Sequence, residues 1–458
     1  MRHFLWASLF APAFIAACSN GSSGSSTSTT GSGASATTGA GASGATTTTT
    51  TGTSTTGATT GAGGGIATKR PYPDSSTSIS ILADQLPSGM TSGQQQFAVA
   101  HYVGTQKLTL ADSQPLRALK PDFLVLHYHL AIWQSAPSVT FITDGMNWGN
   151  DYPMVDMHES WFWHNTSNQR VASTADGKLL VNLGDMGFRA YWESSLEQQV
   201  AAGDYDGIFF DSASPALLQG ETNNDARLAG TGAKDTPIAE LGGKTYIQEW
   251  EDWIKPLNDS LAAKGIPLIP NVSAFTTTWD NTNYDLTAGI FCEGFADTSF
   301  ATADWKASTN QILKIADEGK IVILQNYLGA TSDLAKRRYY LANYLLVKGK
   351  KTYLDYFAQG PFEWYPEWGI DLGAASKTAT TVDDLLDQGV YRRDFAKGTV
   401  LVNPGGTAAT VTLGASMKRV EPNGGGSVDA AGDTPGTVGT TAMTSIMVPA
   451  NGAEILLF

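Results

Sequence analysis

Cysteine is almost missing from this chain: its 458 residues hold two, Cys18 and Cys292. Their contexts differ so much that a disulfide framework is not expected. Stability must come from a packed core, which a hydrophobic fraction of 42% can supply. Charge is scarce as well, at 16% of residues, and it leans acidic: 29 Lys plus Arg against 43 Asp plus Glu, a formal net charge of −14. No basic run longer than three residues occurs anywhere. Binding to nucleic acid or to an anionic lipid surface rests on clustered Lys and Arg, so no nucleic-acid partner is expected. The same acidic balance mildly disfavours polyanionic glycans. Histidine is limited to six residues, the last of them His164. Metal-dependent hydrolase barrels draw further His ligands from later strands, so no metal and no other cofactor is expected. Glycine is the abundant residue, at 49. With this length, that count implies that part of the chain is linker rather than globular sequence.

The linker is easily located. Arg2, the apolar run from Phe4 to Phe14 and the small residues Ala16 and Ala17 read as an export signal over residues 1–17, too short for an ordinary membrane span. Ile15-Ala16-Ala17-Cys18 resembles a bacterial lipobox, which implies cleavage before Cys18 and lipidation of its thiol. Ser19 is not the Asp that favours inner-membrane retention, so outer-membrane or cell-surface placement is expected, with the lipid on Cys18 as the sole membrane contact. From Gly21 to Gly65 every residue is Gly, Ser, Thr or Ala. No core can form from these, and residues 18–66 are expected to be a disordered tether with a reach of about 35–40 Å.

Beyond Pro71 and Pro73, apolar runs of strand length alternate with helix-length segments. Strands are expected at Phe97–Gly104, Phe123–His129, Met157–Trp163, Tyr205–Asp211, Ile266–Ser273, Ala288–Phe295, Lys320–Leu328 and Lys351–Phe357. Helices are expected at Arg189–Ala202, Thr245–Lys264, Trp305–Glu318 and Asp333–Lys348; in the second, Ile247, Trp250, Ile254, Leu257 and Leu261 recur at steps of three or four. Eight such units over residues 67–388 fit a (β/α)8 barrel. The rival, an open doubly wound sheet, lacks a Gly-rich fingerprint after an early strand. From Val390 the pattern changes to the short β runs Thr399–Val402, Thr410–Leu413, Ser445–Val448 and Glu454–Leu457, separated by Gly, Pro and Asn. Residues 389–458 are therefore expected to form a small antiparallel β-sandwich packed on the barrel.

Barrel sites lie at the C-terminal ends of strands, where each apolar run stops. Two carboxylates stand there: Asp211 ending the fourth expected strand and Glu293 ending the sixth. Both follow apolar runs that would otherwise bury them at a cost. Two carboxyls facing each other across a barrel mouth are what glycosidic cleavage needs, one to protonate the leaving oxygen and one to attack or to activate water. Asp206, at the opposite end of its strand, reads as structural. His127 and His129 share one face of the second expected strand, for sugar contacts or core packing; a metal site made of them and one carboxylate stays open. Trp148, Trp163 and Trp364 fall in segments placed at the mouth, where indole faces stack on sugar C–H faces. Asn271, Asn326, Tyr327 and Asp355 add polar strand ends able to bond hydroxyls. Cys292, inside an apolar strand, reads as an inert thiol.

Several motifs together resemble a family, the TIM-barrel proteins called hypothetical glycosyl hydrolase family 15, and more distantly the polygalactosaminidase barrels. They are Trp161-Phe162-Trp163-His164, Phe188-Arg189-Ala190-Tyr191-Trp192, Asp206-Gly207-Ile208-Phe209-Phe210-Asp211, Gly289-Ile290-Phe291-Cys292-Glu293 and the stretch from Arg393-Asp394-Phe395 to Asn403-Pro404. In related barrels a fourth-strand Asp is commonly the nucleophile, which the resemblance transfers to Asp211, with Glu293 as acid/base. The expectation is a monomeric, surface-anchored glycoside hydrolase cleaving a poly- or oligosaccharide with retention. The alternative is a lipoprotein that binds glycans without cleaving them, since fold alone does not imply activity.

Overall fold

The computed structural model describes residues 68–134, 142–143, 146–147, 151–174, 177–215, 218, 224–229, 232–273, 282–360 and 362–458. The expected signal peptide, Cys18, the whole of the tether and Trp148 lie outside the described residues. Eight parallel strands form the centre: β1 (Ile81–Ala83), β2 (Tyr102–Gln106), β3 (Leu124–Leu130), β4 (Ile208–Asp211), β5 (Leu268–Pro270), β6 (Gly289–Glu293), β7 (Ile321–Tyr327) and β8 (Thr352–Phe357). Neighbours in sequence are neighbours in space, and β8 pairs with β1. The ring closes between β5 and β6 through a parallel bridge from Asn271 to Phe291, beside which Val272 N–H donates to the Phe291 carbonyl at 2.9 Å. This is a (β/α)8 barrel.

Helices α1 (Ser92–His101), α2 (Leu110–Leu119), α3 (Met186–Gly203), α4 (Tyr246–Ala263), α5 (Thr302–Asp317) and α6 (Leu334–Val347) wrap the ring. Their starts are written in the sequence. Thr91 with Gln94 and Thr245 with Gln248 make capping boxes, and the Asp185 carboxylate accepts the Gly187 and Phe188 amides at the head of α3. Side-chain alternation along the strands divides the apolar residues into two sets. Leu82, Leu124, Leu126, Tyr128, Phe209, Ile269, Phe291, Ile321, Ile323 and Tyr353 fill the barrel interior. Val125, Ile208, Phe210, Ile290, Cys292, Val322 and Leu324 face the helices.

Three expectations need correction. Phe97–Gly104 is not one strand: the Thr91–Gln94 box starts a helix that ends at His101, and β2 begins only at Tyr102. Met157–Trp163 is not a barrel strand but a bend with a 3-10 turn at Glu159–Trp161, part of a long excursion between β3 and α3. The missing strand is Ile81–Ala83, three residues long and therefore nearly invisible as a pattern. One addition and one loss cancel, so Asp211 and Glu293 still end the fourth and sixth strands. His127 and His129 consequently stand on the third strand, not the second.

The segment before β1 plugs the N-terminal end of the ring. Tyr72 packs on Tyr353, whose hydroxyl donates to the Pro73 carbonyl at 2.7 Å. Below it, the Asp206 carboxylate, fully shielded from solvent, takes one hydrogen bond each from Arg70, Arg117 and the Val125 amide, all at 2.8 Å.

The C-terminal region is an antiparallel sheet of β9 (Val390–Phe395), β10 (Gly398–Asn403), β11 (Ala409–Gly424), β12 (Gly436–Val448) and β13 (Gly452–Leu457), edged by Leu386–Asp387. A register shift between Thr412 and Met417 bends the long β11–β12 hairpin, so that Val411, Leu413, Ile446 and Val448 close over Val390, Leu401 and Leu456 as a second small core. Its other face, with Val400, Val402 and Ile455, joins the main core, and β10 and β13 pack along α6. Arg393 Nη1 lies 3.0 Å from the carbonyls of Leu345, Leu346 and Lys348, capping the C-terminal end of α6.

Removing Asp206 leaves two guanidiniums facing each other without their shared buried anion. Asp206→Ala is expected to lower folding stability by about 3 kcal/mol in a denaturant titration, while the protein that remains folded keeps its activity. Asp204 also pairs with Arg70 at 2.8 Å and with Arg117 at 2.9 Å, and a loss below about 1 kcal/mol would show that it alone satisfies both arginines.

Candidate active site

Strand parity decides which side chains meet at the C-terminal end of the barrel. Phe209 and Phe291 point inward, so Asp211 and Glu293, two residues on, also point inward. Between their strands stands Asn271. Its backbone amide donates to the Phe210 carbonyl at 2.8 Å and its bridge partner is Phe291, which places its side chain between the two carboxylates. Asn271 Nδ2 donates to Asp211 Oδ1 at 2.8 Å and to Glu293 Oε2 at 2.7 Å. Acceptors at 2.8 and 2.7 Å from one nitrogen cannot be more than about 5.5 Å apart.

Each carboxylate has one further donor. Tyr128 Oη donates to Asp211 Oδ2 at 2.7 Å, and Tyr327 Oη to Glu293 Oε1 at 2.6 Å, with Gln325 Nε2 donating to the Tyr327 oxygen at 2.9 Å. Tyr327 stands edge-on to Phe357 with ring centres 5.3 Å apart, giving the mouth an apolar wall. Asp211 and Glu293 are half-buried, whereas Tyr128 and Asn271 are buried beneath them. Burial and then the negative charge of Asp211 raise the Glu293 carboxyl above the ordinary glutamate range, against the Tyr327 and Asn271 hydrogen bonds and the Lys107 cation, which lower it. A carboxyl that holds its proton more tightly than usual, next to a second carboxyl, is the kind of asymmetry that acid-assisted displacement requires.

The rim is conformationally unusual. Among the described residues eight non-glycine positions have positive φ, and four of them, Lys107, Ser212, Ser273 and Ala296, lie just past the ends of β2, β4, β5 and β6. Such turns are costly for side-chain-bearing residues and gather where a site holds its geometry against strain.

Of the residues singled out from sequence, the structure brings together Asp211, Glu293, Asn271 and Tyr327, with Asp355 also pointing inward on β8. Asp355 Oδ2 accepts the Asp84 amide at 2.8 Å, and burial pushes its carboxyl well above the usual range. Others are turned elsewhere. Tyr128 faces inward, so His127 and His129 face the helices: His127 Nε2 meets Gln199 at 2.7 Å, and His129 Nε2 meets Asp151 Oδ2 at 2.5 Å. Burial, reinforced by His129, pushes His127 down to about 3, so it is neutral. Asp151 is also bonded by Tyr191 at 2.7 Å and Ser195 at 2.8 Å, and so fastens the β3–α3 excursion to α3. Asn326 points outward for the same reason of parity, between Gln325 and Tyr327. Trp163 lies in the excursion, donating to Asp225 Oδ2 at 3.0 Å and packing edge-on against Tyr246. Trp364 packs against Phe97 and His101 of α1, and its backbone pairs with Gly426. Cys292 is buried on the helix side, which pushes its thiol well up. Among the described residues no cluster of His, Cys, Asp or Glu is arranged to hold a metal ion.

Tyr128 and Gln325 were not marked as site residues in the sequence. The signal was available: each stands an even number of residues from an inward-facing neighbour, but nothing in the sequence tells which parity faces in, because parallel strands are buried on both faces.

Comparison with known proteins bears on the same conclusion. No curated protein sequence matches the chain. Similar solved structures include a maltogenic α-amylase of Thermotoga neapolitana, with 10% identity over 83% of this chain and 98% of that one at a TM-score of 0.41. Another is a trehalose-6-phosphate hydrolase of Bacillus licheniformis, with 10% identity over 82% and 98% at 0.40. A third is an α-L-fucosidase of Paenibacillus thiaminolyticus, with 11% identity over 62% of this chain and 46% of that one at 0.39. The profile of hypothetical glycosyl hydrolase family 15 matches residues 117–399, more than half of the chain and inclusive of both carboxylates. The chain belongs to that family, and so to the glycoside hydrolases.

Proposed function

We propose that the chain cleaves an O-glycosidic bond of a poly- or oligosaccharide with retention of configuration, Asp211 acting as nucleophile and Glu293 as acid/base. The observation that carries this is the shared amide. Retaining enzymes hold their carboxyls about 5–5.5 Å apart, whereas inverting ones need about 6.5–9.5 Å to admit a water. One Asn271 nitrogen bonded to both carboxylates keeps the two bonded oxygens within about 5.5 Å of each other, which favours the shorter spacing of the groups. In the first step Asp211 bonds to the anomeric carbon as the bond to the leaving oxygen breaks, and Glu293 gives its proton to that oxygen. In the second, water attacks the same carbon, its proton passes to the Glu293 carboxylate, and Asp211 leaves as a carboxylate. Tyr128 and Asn271 keep Asp211 oriented through one hydrogen bond on each oxygen. All of these residues come from one chain, consistent with a monomer.

The N-terminal sequence supports an anchored enzyme: lipid on Cys18, a tether without a core-forming residue, and placement at the bacterial outer membrane or cell surface. An anchor of this kind keeps the reaction at the surface and returns soluble sugars beside the cell.

Four outcomes are expected. On a panel of glycans and aryl glycosides, Asp211→Asn abolishes turnover, lowering kcat by at least about 10³-fold, and Glu293→Gln lowers it by about 10²–10⁴-fold. The Glu293→Gln deficit shrinks for activated aryl leaving groups, which need no protonation. Proton NMR of the first-released sugar shows the substrate's own anomeric configuration; the opposite anomer would make Asp211 a base rather than a nucleophile. A wild-type chain that binds glycans but cleaves none would leave a binding lipoprotein as the reading.

The pH profile gives a separate check. Glu293 must be protonated to act as acid, so kcat/KM falls as pH rises through its pKa. Tyr327→Phe removes a hydrogen bond that lowers this pKa, and the alkaline limb is therefore expected to move to higher pH; a shift to lower pH would contradict the assignment of that limb to Glu293. For the anchor, Cys18→Ser is expected to move the chain from the membrane fraction to the soluble fraction, with loss of the acyl mass on the N-terminal peptide.

A further inference from the structure

Beside the carboxylate pair, the mouth holds a second charged group that the two-step displacement does not use. Lys107, the first residue past β2, donates from Nζ to Asp84 Oδ1 at 2.7 Å and Oδ2 at 2.9 Å, and Gln106 Nε2 donates to the same Oδ1 at 2.8 Å. Asp84 itself follows β1, and its backbone amide is held by Asp355. Lys107 Nζ lies 5.3 Å from the centre of the Tyr128 ring and 5.4 Å from that of Phe209. Tyr128 is the residue whose hydroxyl bonds Asp211. The cation therefore stands one aromatic ring away from the nucleophile, on the inner wall of the barrel.

An ion pair serving only to join β1 to β2 has no need of this position. The Lys107 and Asp84 side chains are 20% and 12% exposed, enclosed enough for their desolvation to be costly yet not sealed from solvent. Lys107 also holds a left-handed backbone conformation, φ 59°, that glycine would adopt without strain. The bonding capacity of the pair is not exhausted. An ammonium has three N–H donors, of which Asp84 takes two, and the Asp84 oxygens keep further lone pairs. Gln106 Oε1, buried alongside, has no partner among the described residues. One donor and several acceptors thus lie side by side at the edge of the site.

We propose that Asp84 and Lys107 form the hydroxyl-recognition subsite for the sugar unit whose anomeric carbon meets Asp211, an inference that rests on the hydrolase reading for the sugar's position. The ligand is a neutral sugar ring with two adjacent free hydroxyls, one donating to Asp84 and the other accepting from Lys107. A carboxylate on the ring would face Asp84 and Asp211. Gln106 keeps Asp84 oriented, and Asp355 keeps its backbone in place.

The test uses the full chain carrying Glu293→Gln, so that probes are not consumed. The probes are methyl glycosides of glucose, galactose and mannose, their monodeoxy derivatives, and methyl glucuronide, with affinities measured by calorimetry. Deleting each of two adjacent hydroxyls is expected to weaken binding by about 10- to 100-fold. The same deletions should cost less than about twofold once Lys107→Met or Asp84→Asn is added, because the partner is already gone. The glucuronide should bind more weakly than the glucoside. Asp84→Asn, nearly isosteric, serves if Lys107→Met perturbs folding. Two results would overturn the proposal: no methyl hexoside binds, or each deletion costs the same factor with and without the pair. The two readings fail separately. A wild type that binds hexosides through the pair but cleaves no glycoside sinks the hydrolase and spares the subsite, whereas cleavage without coupling does the reverse.

Discussion

One side-chain amide holds the centre of this molecule. Two carboxylates brought close in a half-buried setting repel each other, and burial disfavours the charge of each. Asn271 is placed to offset both effects, bonding Asp211 and Glu293 from the same nitrogen. Its backbone also belongs to the seam where β5 meets β6 and the ring closes. The spacing of the pair is therefore set by barrel closure, not by a loop that could wander. The tyrosines complete the arrangement from either side, Tyr128 on Asp211 and Tyr327 on Glu293. Burial, and after it the remaining repulsion, keeps the Glu293 proton held more tightly than an ordinary glutamate would hold it.

Sequence periodicity carried the barrel and the carboxylate pair because both are written as strong local patterns: apolar runs of strand length, each stopped by a polar residue. It did not carry the direction of side chains. Strands of a parallel barrel are apolar on both faces, so the triplet His127-Tyr128-His129 offers no sign that the tyrosine, and not the imidazoles, faces the axis. The same ambiguity hides Gln325 and leaves Asn326 looking like a ligand. Short elements were also illegible. β1 is three residues long, and the Phe97 run straddles a helix end and a strand start, where one apolar stretch serves two elements. In the long excursion, the tryptophan-rich motif at Trp161–Trp163 has the composition of a strand but packs as a bend against α3 and the Asp225–Arg227 turn.

The residues displaced from the mouth have work of their own. His127, His129, Gln199, Ser195 and Tyr191 converge directly or in relay on Asp151, which carries the excursion back to α3. A polar network is costly to leave half-made in the helix layer, and this one ties Asp151 to both β3 and α3. Trp364 performs a comparable service on the opposite side, filling the space between α1 and the strand that Glu363–Trp364 forms with Gly426–Ser427.

The C-terminal sheet is usually where a chain of this composition would be cut, since glycine and short β runs replace the βα rhythm there. Arg393 argues against the cut. Its guanidinium supplies the hydrogen bonds that the last carbonyls of α6 lack, and α6 leads directly into β8, whose Asp355 holds the amide of Asp84. A barrel expressed without its sheet would therefore begin life with a frayed helix just ahead of its last strand. Evolution and engineering alike must move the two together: the unit that can be inherited, swapped or fused is the barrel with its sheet.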